Sequence, residues 1–224
     1  MMKKNYHNKQ SLKNNKGISK AIETDNKEKL KSLRDTPSLI EEIKDGDQYA
    51  FTALVNRYRN QVASLAYKMV NDYDIAADIT QIVFVKMSNN IWRYDTNKNF
   101  YTWLYRITIN ATIDYMRKHK RHHHEPLENY HTIAEKQSSN PEFSYQRQRI
   151  KGYINQASQT LNEKQRSAFI LRDVEGCKID DVAEIMNIPE ATVRWYLHRA
   201  RNKIRKELTR RCPQLLLILG IKII

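Results

Sequence analysis

Between Phe51 and Met69 the apolar residues Phe51, Leu54, Val55, Tyr58, Val62, Leu65, Ala66 and Met69 recur at helical spacing. Only a helix of 3.6 residues per turn gathers such positions on one face, since a half-buried strand would need strict alternation. The pattern repeats. After the break at Asn71-Asp72, Ile75, Ile79, Ile82, Val83 and Met87 mark the inward stripe of a second helix, with Asp74 near its start. Beyond the polar run Tyr94–Asn99 a third helix is expected from about Phe100 to Lys118, with Trp103, Leu104, Ile107 and Ala111 facing inward. Helical patterning returns near Glu142 and continues through Leu208. No segment alternates, and five Gly and five Pro in 224 residues are few for the turns of a sandwich or barrel. The fold class expected is all-α: two small helical domains joined by a flexible linker, the second containing a helix-turn-helix.

The interruptions set the domain organisation. Residues 1–37 read as a flexible basic N-terminal arm, because positions 1–36 carry ten Lys or Arg against four Asp or Glu with apolar residues scattered without period. Thr36-Pro37-Ser38 marks the start of folded structure, with Ser38 as N-cap. A first helical domain spans 38–120, a linker 121–141, a second helical domain 142–211 and a hydrophobic tail 212–224. The linker is read from Lys120-Arg121-His122-His123-His124-Glu125-Pro126 and Gln137-Ser138-Ser139-Asn140-Pro141, where periodicity disappears. The tail holds eight aliphatic residues in the ten from Leu215 to Ile224. That is too short to span a bilayer, and docking on the second domain is the favoured reading.

Lys and Arg total 39 against 25 Asp and Glu, a net charge of +14, which favours a polyanionic partner: nucleic acid or an anionic membrane surface. Cys177 and Cys212 have no CxxC spacing and read as reduced thiols of a cytoplasmic protein. The N-terminus is basic but lacks the apolar core of a secretory signal.

The most specific local signal lies between Lys178 and Leu208. Ile179, Val182, Ala183 and Met186 make a short amphipathic helix with Asp180 and Asp181 near its start; Asn187-Ile188-Pro189 is a tight turn; Val193, Leu197, Ala200, Ile204 and Leu208 then step along a longer helix. Short helix, brief turn, longer helix is the helix-turn-helix layout. At 100° per residue, Trp195, Arg199, Asn202 and Lys206 point away from that stripe, flanked by Arg194, His198, Arg201 and Arg205. Residues 190–211 hold eight Lys or Arg against two Glu, as docking in a major groove requires. Arginine can take guanine edges bidentately while other cations neutralise phosphates. The outward ring of Trp195 needs a partner: a thymine methyl, a sugar or another protein.

A second constellation surrounds the third helix. Phe100, Tyr101, Trp103 and Tyr105 crowd its start, and Arg106, Asn110, Asp114, Arg117 and Lys118 follow. Two readings stand side by side. The aromatics left outside a small core could stack on unpaired bases while the cations track a backbone, or all are core aromatics followed by a basic last turn that suits the helix dipole.

Three segments in order then resemble one family. Asp74-Ile75-Ala76-Ala77-Asp78-Ile79-Thr80-Gln81-Ile82-Val83-Phe84 resembles the polymerase-binding helix of bacterial RNA polymerase sigma factors. Phe100-Tyr101-Thr102-Trp103-Leu104-Tyr105-Arg106-Ile107 is similar to the promoter-melting segment, and Ala191-Thr192-Val193-Arg194 through Leu197-His198-Arg199-Ala200-Arg201 to the helix that reads the upstream promoter element. The match covers about 38–210 and is of the two-domain, extracytoplasmic-function (ECF) kind. The resemblance implies that Asp78, Gln81 and Phe84 bind the clamp of core RNA polymerase. It implies that Tyr101, Trp103, Asn110, Asp114 and Arg117 meet the minus-ten element, with the loop Tyr94–Asn99 holding a flipped base. Thr192, Arg194, Trp195, His198, Arg199 and Arg201 would face the minus-thirty-five element. The implied partners are core RNA polymerase, promoter DNA and an anti-sigma factor, with no small-molecule substrate. The sequence departs from the family at Trp195-Tyr196, where small or basic residues are common, and at Ile82, where Glu is usual.

No catalytic site, cofactor or metal site is expected. Adjacent His122, His123 and His124 do not converge on one ion, and Asp180-Asp181 suits a helix N-terminus. The rival reading is a stand-alone helix-turn-helix regulator that never binds polymerase; it leaves the 74–87 helix without a purpose.

Overall fold

A computed structural model of the chain describes residues 34–119 and 152–211. The basic arm, the linker, the histidine triplet and the hydrophobic tail with Cys212 lie outside the described residues, apart from the last positions of the arm. Within them the protein is all-α, as the periodicity requires. Helix α1 spans Thr36–Lys44, α2 Gln48–Val70, α3 Tyr73–Asn90 and α4 Phe100–His119, with a 3-10 turn Ile91–Arg93 after α3. A helix whose described residues are 152–159 (α5) precedes α6, Glu163–Phe169, which continues as a π-helical segment, Ile170–Val174. Helices α7, Ile179–Met186, and α8, Glu190–Arg211, complete the order.

The helix ends are written locally. The cap of α1 is Asp35, whose carboxylate accepts the Ser38 N–H at 3.2 Å, so the helix starts two residues before the expected Ser38 cap. That bond, with the second contact Ser38 makes, holds the Asp35 carboxyl below the usual carboxylate range. Pro37 fits this first turn because its missing N–H has no helical partner to lose. Asp47 accepts from Tyr49 N at 2.8 Å and Ala50 N at 3.1 Å, and Asp72 from Ile75 N at 3.0 Å; each satisfies otherwise orphaned donors. Asn71, at φ 59°, takes the left-handed conformation that ends α2. Helix α1 itself, which buries Leu39, Ile40 and Ile43, is an element beyond the three helices expected for this part of the chain.

The chain divides into two compact units: residues up to Asn60 with Met87–Phe100, and Gln61–Lys86 with residues from Tyr101 onward. In the first, Phe100 packs its ring 5.1 Å from Tyr58 and 5.5 Å from Tyr94, and Lys44 Nζ donates to the Tyr94 carbonyl at 2.9 Å. In the second, one buried core joins Leu65, Met69, Tyr105 and Ile109 to Phe169, Leu171, Val182, Ile185, Val193 and Leu197. The same unit also buries Arg166. The guanidinium is buried and donates to the carbonyls of Met69 (2.7 Å), Gln159 (2.7 Å), Ser158 (3.0 Å) and Leu161 (3.2 Å).

Candidate nucleic-acid interface

The helix-turn-helix is built as its sequence pattern demands. Asp181 accepts the Lys178 N–H at 3.3 Å at the start of α7, and Asn187 at φ 52° closes it, with the Ile188 N–H on the Ala183 carbonyl at 3.1 Å. Asn is one of few residues other than Gly that adopts this conformation readily. The expected stripe of α8, Val193, Leu197, Ala200, Ile204 and Leu208, is buried throughout, so the register of the helix is set. Arg194, Trp195, His198 and Arg199 are exposed on the opposite side, with Thr192 partly covered.

Their side chains are organised. Arg199 lies over the Trp195 ring at 4.6 Å from its centroid, a cation–π contact that holds both groups outward. Trp195, nearly half exposed, leans edge-on toward Tyr196 at 5.2 Å. Arg194 pairs with Glu190 one turn earlier at 2.7 Å, and His198 Nε2 meets the Asn202 amide at 2.9 Å. Arg201 differs from the others: it clasps Asp173 through Nε at 2.9 Å and Nη2 at 2.6 Å, and that partner raises its affinity for its proton. The π-helical segment, where the Glu175 N–H reaches the Ile170 carbonyl at 2.9 Å, carries Asp173 to this position. Sequence reasoning put Arg201 with the DNA-facing residues; no signal separates it from Arg199 without the fold, because Asp173 is distant in sequence.

On α4, Asn110, Asp114 and Arg117 are exposed, with Asp114 Oδ2 3.8 Å from Lys86 Nζ. The aromatics are more enclosed. Tyr101 stacks on Tyr105 at 3.8 Å between centroids, and its hydroxyl lies 3.9 Å from Cys177 Sγ. Burial makes Tyr101 harder to ionise, pushes Tyr105 up to about 12 and raises the Cys177 thiol. Trp103 and Ile107 are half-buried, whereas Leu104, Tyr105, Thr108, Ile109, Ala111 and Thr112 form the inward side. On α3, Asp78 and Gln81 are exposed while Phe84 is buried with Ile79 and Val83. Ile82, expected inward, is instead 40% exposed, and Val85 61%. The outward face of α3 therefore alternates carboxylate and amide with bare aliphatic surface.

Among the described residues no group of three or more His, Cys, Asp or Glu is placed to hold a metal ion, and no helix is long and apolar enough to cross a membrane.

A helix-turn-helix with a basic outward face, downstream of a separate helical segment, defines a DNA-binding protein of the all-α class. Comparison with known proteins narrows this. The model of Sigma-70 region 2 matches residues 54–122, and that of Sigma-70, region 4 matches 151–204. The chain is 34% identical to the ECF RNA polymerase sigma factor SigW of Bacillus subtilis over 177 residues, covering 75% of this chain and 94% of the relative. It is 33% identical to the RNA polymerase sigma-H factor of Pseudomonas aeruginosa over 179 residues, covering 76% and 92% of the two chains. Among solved structures, CnrH in complex with the cytosolic domain of CnrY shares the fold at a TM-score of 0.57 and 19% identity, over 78% of this chain and 97% of that one. RpoE in complex with the anti-sigma factor NepR from Bartonella quintana does so at 0.57 and 21%, over 71% and 96%. The chain belongs to the ECF RNA polymerase sigma factor family.

Proposed function

We propose that the protein binds core RNA polymerase, recognises promoter DNA with both of its helical regions, and promotes strand opening without performing bond chemistry itself. The observation that supports this best is the register of α8: its entire apolar stripe is buried, which leaves Arg194, Trp195, His198 and Arg199 on the outward face of a helix-turn-helix. Those residues would read the minus-thirty-five element, with Thr192 at its edge. Arg201 takes part only by exchanging Asp173 for a phosphate. Residues 38–120 would form the polymerase- and minus-ten-binding domain, 121–141 the linker and 142–211 the minus-thirty-five-binding domain. On α3, Asp78 and Gln81 would meet the polymerase clamp, with Phe84 supporting that face from the core. Tyr101, Trp103, Asn110, Asp114 and Arg117 would contact the minus-ten region. An anti-sigma factor is the expected inhibitor, as the RpoE structure holds one, and the site of action is the cytoplasm.

The test is run-off transcription with purified core polymerase, with and without the protein, on a promoter library. Protein-dependent transcripts that share two upstream motifs support the reading. Tight duplex binding by the protein alone, with no initiation, would replace it with a helix-turn-helix regulator that acts without polymerase.

A further inference from the structure

Trp92 is 57% exposed, more than any other aromatic ring among the described residues, although a ring of that size gains much from burial. Its neighbours show that the exposure is built in. Ile91 and Tyr94 are buried on either side of it, so the 3-10 turn Ile91–Arg93 is anchored at both ends and leaves Trp92 and Arg93 outside. The Tyr94 N–H reaches the Ile91 carbonyl at 3.1 Å, the Tyr94 ring meets Phe100 edge-on, and Lys44 Nζ donates to the Tyr94 carbonyl at 2.9 Å. The loop that follows is tied to itself. Asp95 Oδ1 accepts from the Asn97 N–H at 3.0 Å and from its side-chain amide at 3.1 Å. The Lys98 N–H donates to the Asp95 carbonyl at 3.0 Å, and the Tyr94 hydroxyl donates to the Lys98 carbonyl. Arg93 and Lys98 are exposed, while Asp95, the one carboxylate of this stretch, is engaged by Asn97. A braced turn therefore presents a bare aromatic face beside two cations and runs directly into α4.

We propose that Trp92 is a stacking platform for one unpaired base of the opened promoter strand, with Arg93 and Lys98 on the flanking phosphates. The inference rests on the proposed function, in which the first helical region holds that strand. An aromatic face with Arg and Lys beside it is the combination that holds single strands, since every base offers a π-face and every nucleotide a phosphate. A protein contact centred on this ring would need neighbours that exclude water around it. The exposed residues that follow it in the chain are instead Arg93, Asp95, Asn97, Lys98 and Asn99. Paired bases are already stacked on one another, so the ring gains its partner only once the strands have parted. A contact made in the open state alone shifts the equilibrium toward opening.

The test uses the full chain assembled with core polymerase and a fork template from a library promoter, duplex upstream and single-stranded across the minus-ten region. Trp92→Ala should weaken binding of the fork by roughly tenfold, the size of one lost base stack. Trp92→Phe should recover most of that loss, whereas Trp92→Leu, apolar but without a π-face, should resemble Ala. An abasic site walked along the unpaired strand should abolish the wild-type advantage at one position. An advantage that persists at every abasic position, or a Leu variant equal to Phe, would overturn the stacking. So would weaker binding of Trp92→Ala to core polymerase alone, which would assign the ring to a protein contact. If the wild-type chain neither assembles with polymerase nor binds the fork, the sigma reading falls. An oligonucleotide carrying 2-aminopurine, titrated with the free full-length chain, then decides the base contact by itself: quenching lost in Trp92→Ala supports it, and equal quenching overturns it.

Discussion

Arg166→Met removes five donors while nearly preserving volume and reach. Burial pulls the guanidinium down to about 10, so it remains cationic at neutral pH, with Glu163 as its favourable charged neighbour. Of its four acceptors, the Ser158 carbonyl keeps the Leu161 N–H at 3.1 Å. The carbonyls of Met69, Gln159 and Leu161 each lose an arginine donor. A buried polar group deprived of its partner costs about 1–3 kcal/mol. Three at the low end give about 3 kcal/mol, and relief from burying a charge offsets part of any larger sum. With a urea dependence of about 2 kcal/mol per molar, the unfolding midpoint should fall by roughly 1.5 M. Arg166→Lys retains charge but one nitrogen, and should fall between Met and wild type. A Met variant within about 0.5 kcal/mol of wild type would refute the claim that these carbonyls depend on this side chain.

Three further outcomes are expected. Asn187→Val should lower the thermal midpoint, costing about 1–2 kcal/mol for a β-branched residue at positive φ, whereas Asn187→Gly should be near neutral. In a spectrophotometric titration, Tyr67 and Tyr105, both pushed up to about 12 chiefly by burial, should stay protonated at a pH where the urea-unfolded chain is ionised. Because the folded values are raised, the stability they contribute is complete below about pH 10 and is lost as pH rises towards 12. Arg199→Ala should reduce the salt dependence of promoter-DNA binding by about one phosphate equivalent or relax base preference, while Arg201→Ala should leave base preference intact and lower the unfolding midpoint.

Much of the fold is legible because helices report their buried face every third or fourth residue. The stripe of α8 and the turn at Asn187 could be placed from residue types alone. Helix α1 was hidden by brevity, although Asp35 followed by Pro37 is a readable start signal. Other features need tertiary neighbours. An arginine in an amphipathic segment reads as solvent-facing, and nothing local reveals that Arg166 finds carbonyls from residues as distant as Met69. Ile82 and Phe84 show the same limit from the other side: both satisfy an apolar pattern, yet the fold exposes the first and buries the second. The third and fourth positions of a stripe are shared among several neighbours, so packing decides what periodicity leaves open.

The charge of α8 is likewise smaller in effect than its count. Glu190 and Glu207 each hold an arginine of α8 at 2.7 Å, Asp173 holds Arg201, and Lys203 donates to the Thr160 carbonyl. Exposed ion pairs of this kind exchange at little cost, so Arg194 can trade Glu190 for a phosphate or a base edge. The two-pronged bond to Asp173, whose side chain is only 22% exposed, is harder to give up. That separates a cation bound to a part-buried carboxylate from those whose partners are exposed. Arg194 and Arg199 lie in the N-terminal half of α8, the end that enters a major groove in helix-turn-helix proteins, while the exposed Arg205 and Lys206 lie in its C-terminal half. Arg199 is already stacked on Trp195, so under the proposed function less side-chain freedom would be lost on binding DNA. Specificity should therefore follow the Trp195–Arg199 pair, and replacing the tryptophan with a small residue should loosen base preference even though the charge of the helix is unchanged.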